Sequence, residues 1–170
     1  MKTRVTRKLL LTGCTLLTLL TACATPKPTY APRPTALPPV EVPAGTTCQD
    51  VGGTCLDLIF DSEACIYQGP TEVGTGPIAL LFHNKSDGEA AVNFLELLEG
   101  RTIEDVIEDM GEEPATGHHP WWSRELGSWQ PIPAGKSQQW ETDLKPGDYF
   151  MVCVRMSPLG VWLGTGLTAR

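Results

Sequence analysis

Beyond residue 46 the chain reads as short apolar runs separated by turn residues. Leu56-Asp57-Leu58-Ile59-Phe60 is a strand candidate, and Cys65-Ile66-Tyr67 is a second, closed by a Gly69-Pro70 turn. Ile78-Ala79-Leu80-Leu81-Phe82 is apolar on both faces, which predicts a strand with no solvent side. After the polar stretch Asn84 to Gly88, Ala91 to Leu98 reads as the next strand, although its Leu and Glu content also suits a helix. Strands resume near Trp129 to Ile132. Ser137 to Thr142 alternates loosely, and Leu144-Lys145-Pro146-Gly147 then turns into the apolar, aromatic run Asp148 to Val154. Gly160 to Thr168 is a final strand broken by glycines.

One segment has the helical period. Ile103, Val106, Ile107 and Met110 fall at i, i+3, i+4 and i+7, which predicts one apolar face on a helix from Thr102 to Met110. Thr102 with Asp105 matches a capping box, and Gly111 is a natural stop. Many short strands with Gly/Pro punctuation and a single helix predict an antiparallel all-β sandwich or barrel. No internal repeat is present.

The N-terminal third is built differently. Lys2, Arg4, Arg7 and Lys8 precede the apolar stretch Leu9 to Leu20, which is too short for an ordinary membrane span and has the form of an export signal. It ends in Leu20-Thr21-Ala22-Cys23, which resembles the lipobox of bacterial lipoproteins. That resemblance implies cleavage of the signal peptide, residues 1–22, and acylation (palmitate or similar chains) at Cys23. The mature protein would sit on the extracytoplasmic face of the cell membrane, since two or more chains give stable anchoring. Residues 23–46 carry seven prolines from Pro26 to Pro43. They predict an extended stalk with a reach of roughly 60 Å, ahead of a globular domain at 47–170.

Charge narrows the partners. The whole chain carries −7; the signal segment holds four of the thirteen basic residues and no acid, so the mature chain retains nine against twenty, a net −11. Such a surface repels phosphate backbones, which argues against nucleic acid, and it has no basic patch for anionic lipid. The lipid anchor is the expected membrane partner, with an unknown protein or small molecule as the second.

Export places the remaining cysteines, Cys48, Cys55, Cys65 and Cys153, in an oxidising compartment. Four cysteines allow three pairings. Cys48 with Cys55 across Gly52-Gly53, and Cys65 with Cys153, is the preferred pair of disulfide bonds.

Two clusters have chemical potential. The helix carries Glu104, Asp105, Glu108 and Asp109 on its other side, followed by Glu112 and Glu113, which reads as a solvated face. Within the loop from Pro114 to Trp129 lies His118-His119-Pro120-Trp121-Trp122. Neighbouring imidazoles bind copper(II) or zinc, but adjacent side chains diverge on an extended backbone. Trp121 and Trp122 either pack as an apolar lid or display a partner surface. Ser123 lies close to His118 with no third member in view. No Gly-x-Ser-x-Gly, His-Glu-x-x-His, P-loop or dinucleotide-binding glycine pattern occurs.

Tyr67-Gln68-Gly69-Pro70, Leu81-Phe82-His83-Asn84, the Leu-x-Pro-Gly-x-Tyr stretch ending at Cys153, and Gly164-Thr165-Gly166-Leu167-Thr168 together resemble the cupredoxin, or blue-copper, superfamily over about residues 56–168. More narrowly, the chain is similar to lipid-anchored bacterial cupredoxin-like proteins with an added acidic helix and a His-His-Pro-Trp loop. The resemblance implies a Greek-key β-sandwich with one short inserted α-helix. It also implies a copper site of one thiolate, two imidazoles and an axial Met. The residues after Cys153 contain no His, Met156 comes too early, and Leu163-Gly164-Thr165 stands where Met belongs. No His occurs at Ala90 to Asn93 either. His83 falls on a buried strand and reads as a core histidine. The expectation is therefore a non-enzymatic binding or scaffold domain with no cofactor and no metal, whose surface is His118, His119, Trp121, Trp122 and the acidic helix. Metal capture by His118/His119 is the alternative, and an electron carrier with an altered copper site is the remaining one.

Overall fold

The computed structural model describes residues 40–110, 122–126 and 130–170. Chain order is β1 (Val40–Val42), α1 (Cys48–Val51), β2 (Thr54–Phe60), β3 (Cys65–Gln68), β4 (Glu72–Val73), β5 (Gly76–Asn84) and β6 (Ala90–Leu97), followed by α2 (Ile103–Met110), β7 (Ser123–Glu125), β8 (Ser137–Leu144), β9 (Gly147–Met156) and β10 (Leu159–Ala169). One sheet runs β1-β8-β5-β2-β3 and the other β4-β10-β9-β6-β7. The chain changes sheets between β5 and β6 and again between β8 and β9, yet β5 pairs with β8 and β6 with β9. This interleaving makes an all-β Greek-key sandwich with a short helix, as expected, although it is not antiparallel throughout: β2 pairs parallel with β5, and β4 pairs parallel with β10. Ala90 to Leu97 is strand throughout, which resolves the helix-or-strand ambiguity in favour of the sheet.

Period-two alternation builds the main core. Leu56, Leu58 and Phe60 of β2, Leu80 and Phe82 of β5, Trp140 and Leu144 of β8, and Val92 and Phe94 of β6 meet between the sheets. A second cluster lies on the other side of the β6/β9 sheet, where Leu95, Phe150, Val152 and Val154 pack with Val106 of α2 and with Trp122. The β9 sheet is thus covered on both faces, which explains the unbroken apolar run from Tyr149 to Val154.

The stretch that turns into β9 is held by its tyrosine. Tyr149 is fully buried, donates from its hydroxyl to the Lys145 carbonyl at 2.7 Å, and accepts from the Lys145 N–H at 3.1 Å. This closes the Pro146-Gly147 turn onto the strand it feeds, the arrangement of a tyrosine corner. The glycines of β10 allow close approach. The pairing with β9 shifts between Leu163 and Gly166. A Cβ at Gly164 would stand 2.7 Å from the Met151 carbonyl oxygen, and one at Gly166 would fall on the Ile103 side chain of α2.

Four further features differ from the sequence expectation. The sheet begins at Val40, inside the expected stalk, because Val40-Glu41-Val42 pairs antiparallel with the free edge of β8. Cys48 to Val51 is one helical turn rather than plain loop. The Asp50 carboxylate accepts from both the N–H and the hydroxyl of Thr47 at 2.8 Å, bonds that also hold its pKa below the usual carboxylate range. Ser123–Glu125 is a short strand on the edge of β6, within what reads as a loop. Finally, Ile107 is 46% exposed although it lies on the predicted apolar face. The helix is capped as expected, with the Thr102 N–H donating to the Asp105 carboxylate at 2.7 Å. It seats along Ile103 and Val106, however, and Ile107 sits about 100° of helical rotation beyond Val106.

Candidate functional site

The same alternation that sends Leu56, Leu58, Leu80 and Phe82 inward sends Asp57, Ile59, Leu81 and His83 to the outer face of the first sheet. Register aligns Ile59, His83 and Ser137 side by side across β2, β5 and β8. Asn84 fixes that alignment. Its backbone N–H donates to the Lys136 carbonyl at 3.0 Å, and its side-chain amide donates to the carbonyls of Gly88 at 2.8 Å and Ile132 at 2.9 Å. The start of β8 is thereby pinned to the end of β5, and Ser137 arrives opposite His83.

These residues line a cleft of about 340 Å³, walled on one side by Ala44 to Thr47 of the segment between β1 and α1, with Gln68, Lys85 and Lys136 among the other lining residues. Ser137 Oγ lies 2.7 Å from His83 Nδ1, and His83 Nε2 lies 3.3 Å from Asp57 Oδ1, close enough for charge attraction but without the alignment of a full hydrogen bond. His83 is 8% exposed and Ser137 4%. Burial holds the imidazole below its ordinary pKa against the opposing pull of Asp57, and the Lys85 charge adds to the lowering. Burial likewise pushes the Asp57 carboxyl up, opposed by His83 and Lys85. A neutral imidazole carries one proton. The carboxylate beside Nε2 favours it there, which leaves Nδ1 to accept from the Ser137 hydroxyl. Lys136 is drawn toward Glu41, its ammonium 2.8 Å from that carboxylate, which raises the lysine pKa.

The cysteines pair as preferred. Cys48 bonds Cys55 and ties α1 to β2; Cys65 bonds Cys153 and ties β3 in one sheet to β9 in the other. Cys153 is 0% exposed and faces the main core between Val92 and Trp162. Among the described residues, the candidate ligands do not converge on a blue-copper site. The sulfur of Cys153 is bonded to Cys65, His83 points out of the opposite sheet, and Met156 packs against the second cluster on the far side of β9. Three potential ligands thus face three different places. Among the described residues no three His, Cys, Asp or Glu side chains come together as a metal cage.

Cys23, His118, His119 and Trp121 lie outside the described residues. Trp122 does not display a partner surface: it is 4% exposed, packed in the second cluster, with the Arg101 guanidinium over its ring at 5.4 Å. The acidic side of α2 is solvent-facing at Glu104, Glu108 and Asp109. The Asp57/His83/Ser137 cluster is absent from the sequence expectation, where His83 reads as a core residue. The available signal is an acid and a histidine at outward positions of otherwise apolar strands.

No family model matches the chain, and no curated protein does. Among solved structures it is similar to an auracyanin from the photosynthetic bacterium Roseiflexus castenholzii, at 21% identity over 66% of this chain and 98% of that one, with a TM-score of 0.38. It is also similar to auracyanin B, at 16% identity over 75% and 98% and a TM-score of 0.38. A copper-containing nitrite reductase from Thermus scotoductus follows at 14% identity, 69% and 31% coverage, and 0.36. Likenesses at this level add nothing to what the strand order shows. The fold rests on its own pairing.

Proposed function

We propose that the chain is an extracytoplasmic lipoprotein, held to the cell membrane through Cys23, that carries a copper-free, cupredoxin-like binding domain. The anchor rests on the export signal and the Leu-Thr-Ala-Cys segment. The cupredoxin-like reading rests on the motif residues, with Tyr149 closing the Leu-x-Pro-Gly-x-Tyr turn onto its strand. The observation that carries the rest is the Cys65–Cys153 bond, which occupies the sulfur that the resemblance would assign as thiolate ligand; a separate polar cleft lies on the outer face of the first sheet. A concave site with a few convergent polar groups suits a small ligand.

Two measurements test this reading. Full-length protein, purified oxidised in detergent and given copper(II), shows no intense copper–thiolate absorption; such a band would overturn the copper-free assignment. Cys23→Ala moves the protein from the membrane fraction to the soluble envelope fraction, and continued membrane retention would count against the anchor.

A further inference from the structure

We infer that Ser137 is an activated nucleophile and that the cleft on the outer face of the first sheet transfers small acyl groups from esters to water. This goes beyond the binding reading and departs from the non-enzymatic expectation. It rests on three side chains brought from three adjacent strands to one concave site. Ser137 Oγ is 2.7 Å from His83 Nδ1, within reach for proton transfer, and the far nitrogen of the same ring is 3.3 Å from a carboxylate of Asp57. Nucleophile, base and orienting acid in that order are the parts of a hydrolytic serine site, recognised by role rather than by sequence position. The ring is used through the opposite nitrogens, but either can act as base once the other holds the proton. All three residues stand on strands rather than loops, which keeps their geometry fixed. A burial-lowered imidazole stays unprotonated at neutral pH, as a base must. Lys85 lines the cleft and places positive charge beside it, suited to an oxyanion. A cleft of about 340 Å³ admits a short acyl ester and excludes a folded protein.

The step balances within the site. Ser137 Oγ bonds the acyl carbon as the carbon–alkoxide bond breaks, and the hydroxyl proton passes to His83 Nδ1 and then to the departing alkoxide. Water next gives a proton to Nδ1 while its oxygen bonds the acyl carbon. The Ser137–acyl bond then breaks, and Oγ recovers the proton. Asp57 keeps its charge beside Nε2, where it favours the ring proton.

The test uses the full-length oxidised protein in detergent, an alkyl fluorophosphonate as probe, and peptide mass spectrometry as readout. The expected result is a phosphonyl adduct on Ser137, with a labelling rate that rises with pH as His83 loses its proton. His83→Gln should lower that rate roughly 100-fold, the scale of general-base assistance. No adduct on Ser137 in folded wild-type protein overturns the inference, whatever the variants do. A labelling rate unchanged in a folded His83→Gln protein overturns it as well. Neither result touches the copper-free assignment or the anchor, which the copper and fractionation measurements address separately.

Discussion

Removing the Cys65–Cys153 bond should cost far more stability than removing Cys48–Cys55, and the structure supplies the reason. The first joins residues 88 apart in sequence and staples β3 to β9 across the core; the second joins residues 7 apart and closes a local turn. In the chain-entropy model the long bridge withholds about 4.6 kcal/mol of unfolded-state freedom and the short one about 2.4 kcal/mol. Cys65 and Cys153 are also buried, so replacing both by Ala adds a cavity contribution on top. For a domain whose total stability is on the order of 5–15 kcal/mol, losing the long bridge removes a third or more. The comparison is between Cys65→Ala/Cys153→Ala and Cys48→Ala/Cys55→Ala, each double change leaving no unpaired partner. Urea unfolding of the full-length protein in detergent gives the midpoint and slope for each. The long-bridge variant should show the larger fall in midpoint and a steeper slope, because its unfolded chain expands further. If the short-bridge variant loses as much, or the long-bridge variant loses under about 1 kcal/mol, loop closure is not what the inter-sheet bond contributes.

Other consequences follow from single contacts. Tyr149→Phe deletes the hydroxyl that serves both the carbonyl and the N–H of Lys145, and it should cost about 1–3 kcal/mol by urea unfolding. Gly164→Ala drives a Cβ against the Met151 carbonyl oxygen, with the Cys65 sulfur 3.2 Å away, and should lose about 1–3 kcal/mol through overpacking, read as a lowered midpoint. The cleft sets an acid-side dependence. Because burial holds folded His83 below its ordinary value of about 6.5, the unfolded chain takes up a proton first, and stability falls as pH drops just below that value. Asp57 works with the opposite sign: its raised pKa lets the folded state bind a proton before the unfolded state does, offsetting the loss toward pH 4. Lys85 opposes charge on His83 and favours it on Asp57, so the two remain coupled. Melting curves between pH 7 and 5 should flatten in His83→Gln and steepen in Asp57→Asn.

How much was legible in the residues alone depended on the length and regularity of each segment. β2 and β8 announce themselves by alternation, β5 and β9 by unbroken apolar runs bounded by turn residues, and α2 because four apolar positions and a capping box agree. β1, β4 and β7 are two or three residues long, too few to show any period, and form only because an edge of a longer strand is waiting for them. Trp122 was ambiguous for a related reason: a tryptophan pair in a loop is apolar whether it packs or protrudes, and only the second cluster beneath α2 decides that Trp122 packs. Ile107 shows the converse error, where a two-turn helix seats on fewer positions than its pattern offers.

The sequence by itself determined the all-β class, the Pro146-Gly147 turn ahead of Tyr149 and the lack of a histidine after Cys153, because each of these is local or a matter of which residues exist. Which of the three cysteine pairings forms was decided by the fold, which sets Cys65 of one sheet against Cys153 of the other, 88 residues on. Only the tertiary structure decided where His83 points and what it meets. Asp57 lies 26 residues before it and Ser137 54 residues after it, and no spacing rule joins the three. They meet because β2 and β8 both pair with β5, the start of β8 pinned there by Asn84, and a one-residue slip in either pairing would turn the partner to the opposite face.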